Sequence, residues 1–401
     1  MINDTATAIP EWRRDARPVA PAGNDFLVRR DIAFLNHGSF GARPRSVFET
    51  YQRWQRELES QPVEFLGRSL PDLLTEARAQ LAAYIGASAD EFVFVPNTTH
   101  GMNIIARSLE LDSGDEVLGA DHEYGAVERT WRFICGQRGA TYRIASLPLG
   151  MSTEDEVVEQ LWKSVTSRTR VIVLSHISSP TALRFPVEAV CRRAREQGIL
   201  TAIDGAHAPG QIALDLREVG ADFYVGNCHK WLCAPVGSAL LYAHPERQPL
   251  LKPLVVSWGW EPRKPGPSPF IDLFDWIGTD DPAAYLSVPA AIAFQRENDW
   301  QAVRAECHTL AREARQQIGA LTGLPQICPD STEWWAQMFA TPLPAETEMS
   351  AEELQRRLRD EFQVEVPITE WQGRRFVRVS IQAYNSAADV ERLLSGLRAL
   401  L

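Results

Sequence analysis

The sequence predicts an α/β protein, with a mostly parallel seven-stranded sheet in a large domain followed by a smaller α+β domain. Three observations predict it. Between residues 91 and 243, seven short β-rich runs alternate with helical stretches. Such alternation means crossover connections, and crossovers build a parallel sheet covered on both faces. The length of 401 residues exceeds what one ordinary core holds. The last hundred residues then change rhythm, with "SAEELQRRLRDEF", "GRRFVRVSIQAYN" and "SAADVERLLSGLRALL" reading as a separate α+β unit.

Residues 1–25, rich in Pro, Ala and charge, read as a loose N-terminal arm. The stretch 45–60 reads as a helix, because Val47, Phe48, Tyr51, Trp54 and Leu58 fall near one stripe. The strands are expected at 91–95, 115–119, 140–145, 170–175, 199–203, 221–226 and 238–243, with helices including 101–110, 154–165 and 187–197. Residues 244–289, crowded with Pro, Gly and Trp, read as a long ordered excursion. The expected domains are therefore 26–288 and 289–401.

The net charge of −11 and the lack of any basic run argue against a nucleic-acid or anionic-membrane partner. No signal-peptide core opens the chain, and no window approaches the roughly 20 apolar residues that cross a bilayer, so the expected location is cytoplasmic. The six cysteines form no CxxC pair and are expected to be reduced. Metal binding by Cys228, His229, Cys233 and His207 is set aside because the spacing matches no standard site. No GxGxxG or GxxxxGK[ST] follows a strand, which leaves a nucleotide-binding reading without support.

In parallel sheets ligands bind beyond the carboxyl ends of the strands, so the residues there carry the functional argument. Only four of the 41 basic residues are lysine, and Lys230 stands in the small, apolar stretch "VGNCHKWLCAPVGSALLY". A buried lysine can lose its proton and act as a nucleophile, whereas arginine stays charged. Asp204 ends an apolar strand, where a carboxylate needs a cationic or hydrogen-bonding partner. It precedes Lys230 by one helix-and-strand crossover. Thr98 and Thr99 begin a helix, where they either form an anion site or serve as an ordinary N-cap. His122 and Tyr124 follow another strand and offer rings that can stack on an aromatic ligand. An anion cup, a ring, an acid and a lysine are the parts pyridoxal 5′-phosphate requires: the lysine bonds its aldehyde, and the acid keeps its ring nitrogen protonated.

The chain resembles the class V aminotransferase family of fold-type I pyridoxal-phosphate enzymes, and within it the isopenicillin N epimerase branch. The likeness spans roughly residues 30–395, through "FLNHGSFGARP", "PNTTHGMN", "DHEYGA", "SHISSPTALRFP", "DGAHAPGQ", "GNCHKWLCAPVGSALLY", "FDWIGTDDPAAYLSVPAA" and "VRVSIQAYNS". It implies a fold-type I transferase fold, Lys230 as the covalent cofactor lysine, Asp204 as the partner of the pyridine nitrogen, and His207 as the partner of the ring hydroxyl. Thr98, Thr99, Asn227 and His229 are then phosphate ligands. Thr279, beside Gly278, reaches the phosphate of a neighbouring subunit, which implies a homodimer with shared sites. Arg378 holds the substrate carboxylate, with Asn36, His37, Ser39 and Ser179 near the substrate.

Residues 351–378 contain no cysteine, so a persulfide-forming desulfurase is disfavoured. The expected reaction is amino-acid epimerisation through a Cα carbanion. The alternative is β-elimination by a C–S lyase acting on a cysteine conjugate or sulfoxide, ahead of transamination or cofactor binding without turnover. Epimerisation needs proton carriers on both faces of Cα. Tyr124 and His37 are the residues considered opposite Lys230.

Overall fold

The computed structural model describes residues 16–345 and 349–401; residues 1–15 of the expected arm lie outside the described residues. In chain order the strands are β1 (Ala33–Phe34), β2 (Phe92–Val95), β3 (Glu116–Ala120), β4 (Thr141–Ala145), β5 (Thr169–Ser175), β6 (Leu200–Asp204), β7 (Phe223–Asn227), β8 (Ala239–Ala243), β9 (Met338–Pro342), β10 (Val364–Glu365), β11 (Ile368–Trp371) and β12 (Arg374–Ser380). β2 to β8 are the seven expected strands, each within two residues of its predicted start and end.

They form one sheet in the order β2-β8-β7-β6-β5-β3-β4. β8 runs antiparallel to both neighbours and the other four pairings are parallel. Because β8 reverses the direction twice, β2 points the same way as β3 to β7. Their carboxyl ends open on one edge. The chain steps outward from β3 to β4, then returns to the other side of β3 with β5 and continues through β6 to β7. A crevice forms at such a reversal, and ligands seat in it.

One face is covered by the helices Thr98–Ser108 and Gly125–Arg138, whose Met102, Ile105, Val127 and Trp131 pack on Val93, Val117, Val173, Ala202 and Val225. Gly101 is the point of closest approach, since a Cβ there would lie 2.7 Å from the Val225 side chain. The helix Arg45–Ser60 forms where expected, but only Val47 is fully buried; Trp54 reaches out to donate from its indole to Leu286 O at 2.9 Å. Among the described residues no helix is long and apolar enough to cross a membrane.

A second sheet, β11-β12-β9, is antiparallel, and β1 pairs with β10 in parallel. The described part of the arm is not loose. Val19 N–H donates to Asn385 O at 2.6 Å, and Ala20 and Ala22 are buried. Burial of these apolar side chains outweighs the disorder that the Pro and Ala content suggests. Ser380 N–H donates to Leu35 O at 2.9 Å, which brings the segment after β1 alongside the end of β12.

Candidate active site

The carboxyl ends of β2, β5, β6 and β7 surround a cavity of about 570 Å³. Ser39, Thr98, Thr99, Tyr124, Ser179, Asp204, His207, Asn227, His229 and Lys230 all line it. Ten residues singled out in the sequence are thus brought together from segments up to 191 positions apart.

At the exit of β2, Asn97 caps the helix Thr98–Ser108 by accepting the His100 N–H at 2.9 Å, so neither threonine is the cap. Thr98 N–H instead donates to Asn227 Oδ1 at 3.1 Å, and Asn227 Nδ2 donates to Thr98 Oγ1 at 3.3 Å. The Thr99 hydroxyl and N–H remain beside the cavity at the positive end of the helix, a setting suited to an anion.

Lys230 sits in the turn after β7, its Nζ 3.3 Å from His207 Nε2. Desolvation pushes its amine down to about 8, although the Asp204 charge opposes the change. The turn is clamped from behind. His37 Nε2 donates to Lys230 O at 3.0 Å, Gln295 Nε2 donates to Trp231 O at 3.0 Å, and a Cβ on Gly41 would lie only 2.0 Å from His229 O.

Asp204 is the last residue of β6 and only 3% exposed. Its Oδ1 accepts the Ala206 N–H at 2.9 Å, and its second oxygen receives no hydrogen bond among the described residues. Burial raises its pKa, while that hydrogen bond and the Lys230 charge pull it back. Beside it stands a residue the sequence reading missed. Glu123 is buried and accepts from Ser175 N–H at 3.0 Å and Ser175 Oγ at 2.8 Å, and Ser175 is the register partner of Asp204. Burial pushes the Glu123 carboxyl up to about 8, and the Asp204 charge adds to this. An acid in "DHEY" directly after a strand was the available signal.

β12 brings in Arg378, 5% exposed. Its Nη1 donates to Ser179 O at 2.6 Å and to Ser179 Oγ at 3.1 Å, and its Nη2 donates to Ser39 Oγ at 3.1 Å. Its Nε is buried without a partner, and among the described residues the guanidinium makes no ion pair. Burial lowers its pKa to about 10. A buried cation without a counter-ion is costly, and the two serines that hold it line the cavity. That arrangement suits a carboxylate-bearing ligand.

Four expected residues stand elsewhere. His122 is fully buried outside the cavity: Nδ1 meets Thr181 Oγ1 at 2.8 Å, Nε2 meets Leu147 O at 2.7 Å, and the ring stacks on Trp371 at 4.5 Å. With both nitrogens hydrogen-bonded and Trp371 on one face, it stands away from the cavity, whereas Tyr124, 47% exposed, lines it. His37 is likewise enclosed, its Nδ1 on Tyr384 Oη at 3.1 Å and its Nε2 on Lys230 O, so it buttresses the turn and does not line the cavity. Asn36 accepts from Ser39 Oγ at 2.6 Å and orients that hydroxyl without lining the cavity. Thr279 is exposed and does not line this chain's own cavity.

The residues present fit pyridoxal 5′-phosphate. Thr98, Thr99, Asn227 and His229 line one cavity with Lys230, whose amine need not be charged. Asp204, a buried carboxylate with a single hydrogen bond, calls for a protonated ring nitrogen.

The family model described as "Aminotransferase class-V" matches residues 40–393. The chain is 34% identical over 403 residues to isopenicillin N epimerase of Streptomyces clavuligerus, covering 98% of this chain and 99% of that protein. It is 29% identical over 414 residues to putative L-cysteine desulfhydrase 1 of Oryza sativa subsp. japonica, covering 92% and 83%. Among solved structures, apo cysteine desulfurase from Thermococcus onnurineus NA1 superposes with a TM-score of 0.80 at 18% identity, over 94% of this chain and 97% of that one, a likeness of fold. The chain belongs to the class V aminotransferase family, whose cofactor is pyridoxal 5′-phosphate.

Proposed function

We propose that this pyridoxal-phosphate enzyme is an amino-acid epimerase that inverts configuration at Cα, using Lys230 on one face and Tyr124 on the other. The observation that carries the reading is that Lys230 and Tyr124 line one cavity, while the other residue considered for the second face, His37, is sealed behind it. The long relationship to isopenicillin N epimerase supports it.

When bound, the cofactor supplies an electron sink that lets the Cα proton leave. Lys230, with an amine held near 8, takes or returns that proton at Nζ. Tyr124 delivers or accepts one from its hydroxyl on the opposite side; a positioned acid or base of this kind contributes about 10²–10⁴-fold. Asp204 holds a proton at the ring nitrogen and His207 faces the ring hydroxyl. Thr98, Thr99, Asn227 and His229 bind the phosphate. Arg378, oriented by Ser39 and Ser179, binds the substrate carboxylate through a planar fork of donors. The exposed Thr279 supplies a phosphate contact to the neighbouring subunit of a homodimer.

A second reading is β-elimination by a C–S lyase, favoured by the L-cysteine desulfhydrase relative. No cysteine lines the cavity, so C–S cleavage here would proceed without a persulfide on the protein. The test is incubation of the holoenzyme with L- and D-amino acids and cysteine conjugates in deuterated water. Deuterium at Cα with inversion is expected. Pyruvate with a released thiol or sulfenate selects the lyase, and a keto acid that retains the substrate's side chain, formed together with the aminated cofactor, or no exchange at all, overturns both. Borohydride reduction should fix the pyridoxyl group to Lys230; labelling at another residue would falsify the assignment.

A further inference from the structure

Behind the Lys230 amine lies a short relay that the proposed chemistry leaves unexplained. Trp231, fully buried, places its indole Nε1 3.3 Å from His207 Nδ1, and the other ring nitrogen of His207, Nε2, lies 3.3 Å from Lys230 Nζ. An indole N–H donates and cannot accept, so Nδ1 must be the acceptor in this contact. Burial holds the His207 ring well below its ordinary pKa, and a neutral imidazole carries one proton. With Nδ1 accepting, that proton is on Nε2.

We propose that Trp231 is a positioning residue that sets the tautomer of His207: its N–H keeps the imidazole proton on Nε2, aimed at the Lys230 amine. An ammonium has three donors and no lone pair, so it would meet Nε2–H donor against donor. A neutral amine has a lone pair to receive it. The relay therefore favours the uncharged, nucleophilic form of Lys230 by hydrogen bonding, in addition to desolvation. The other ionisable groups around the pair are Asp204 on β6, Arg378 on β12, His229 in the turn and His37 from the N-terminal segment. Asp204 favours the charged amine, whereas the Arg378 cation disfavours it. The Trp231 residue is itself held in place, since Gln295 fixes its carbonyl and the His37 ring, tilted by 53°, lies 4.9 Å from the indole, centroid to centroid.

The inference rests on the reading that Lys230 is the reactive amine, yet its test needs neither cofactor nor turnover. Full-length, cofactor-free protein labelled with ¹⁵N-histidine and ¹³Cε-lysine is examined by NMR; with only four lysines, the Lys230 signal is assigned by its loss in Lys230→Ala. In the wild type, His207 should be protonated at Nε2 and bare at Nδ1. In Trp231→Phe, which keeps a ring and removes the donor, the preference for Nε2 should be lost, and the proton affinity of Lys230 should rise by about tenfold. A wild-type His207 protonated at Nδ1 overturns the proposal, as does a Trp231→Phe protein with both signals unchanged. If Trp231→Phe does not fold, the wild-type tautomer decides. Borohydride labelling away from Lys230 would remove the functional reading and leave the tautomer result standing.

Discussion

Asn227 and Thr98, 129 positions apart in the chain, hold each other by two hydrogen bonds: Thr98 N–H to Asn227 Oδ1 at 3.1 Å and Asn227 Nδ2 to Thr98 Oγ1 at 3.3 Å. The end of β7 is thereby tied to the first turn of the helix after β2, and the cavity wall proposed to bind the phosphate has its shape before any ligand enters. Asn227→Ala leaves the buried Thr98 amide without an acceptor, at a cost of about 1–3 kcal/mol. Equilibrium dialysis should show pyridoxal phosphate bound about tenfold more weakly or worse, with a lower melting temperature. Unchanged affinity would place the phosphate elsewhere.

Glu123 predicts a pH dependence. Its carboxyl is raised from an ordinary 4.5 to about 8, so the folded chain holds that proton more tightly than the unfolded chain. The contribution to stability is fully present below about pH 4.5 and is lost as pH rises towards 8. Glu123→Gln cannot ionise. The melting temperature of cofactor-free Glu123→Gln, minus that of wild type, should climb between these limits, on top of a constant offset from the altered Ser175 hydrogen bonds. A flat difference would mean that Glu123 is ionised throughout.

The contrast between Lys230 and His122 explains what could be read from the sequence. Lys230 and Asp204 were legible because their strands are short apolar runs and a strand end in a parallel sheet faces the ligand edge; local pattern decides both. His122 also follows a strand, but its fate is decided by Trp371, which arrives from β11 almost 250 positions later and covers its ring. His37 is kept out of the cavity lining for a similar reason, since Tyr384 and the Lys230 carbonyl capture both of its nitrogens. Arg378 looked like any arginine on an alternating strand, and only the family resemblance marked it. Glu123 was passed over because its partner Ser175 is local in the sheet and distant in the chain.

Arg378 should affect binding more than turnover. Lysine at this position keeps the charge but carries its donors on one nitrogen, and cannot span Ser179 and Ser39 as Nη1 and Nη2 do while also meeting a carboxylate as a fork. Loss of one charged hydrogen bond is worth about 1.5–3 kcal/mol, so Arg378→Lys should raise KM by about 10- to 100-fold. The fall in kcat should be smaller. Equal KM for the two proteins would remove Arg378 from carboxylate recognition.

Tyr124 separates the two reactions. It is 47% exposed and its hydroxyl makes no hydrogen bond among the described residues, so Tyr124→Phe should change stability by less than about 0.5 kcal/mol. Removal of the hydroxyl takes the proton carrier from one face of Cα and leaves Lys230 on the other. In deuterated water the variant should still exchange the Cα proton with retention of configuration, while inversion falls by about 10²–10⁴-fold. A lyase needs only the first proton removed, so its yield of pyruvate should be nearly unaffected by the same change. Chiral chromatography together with deuterium content reads both quantities from one incubation. Undiminished inversion in Tyr124→Phe would require a different acid on that face.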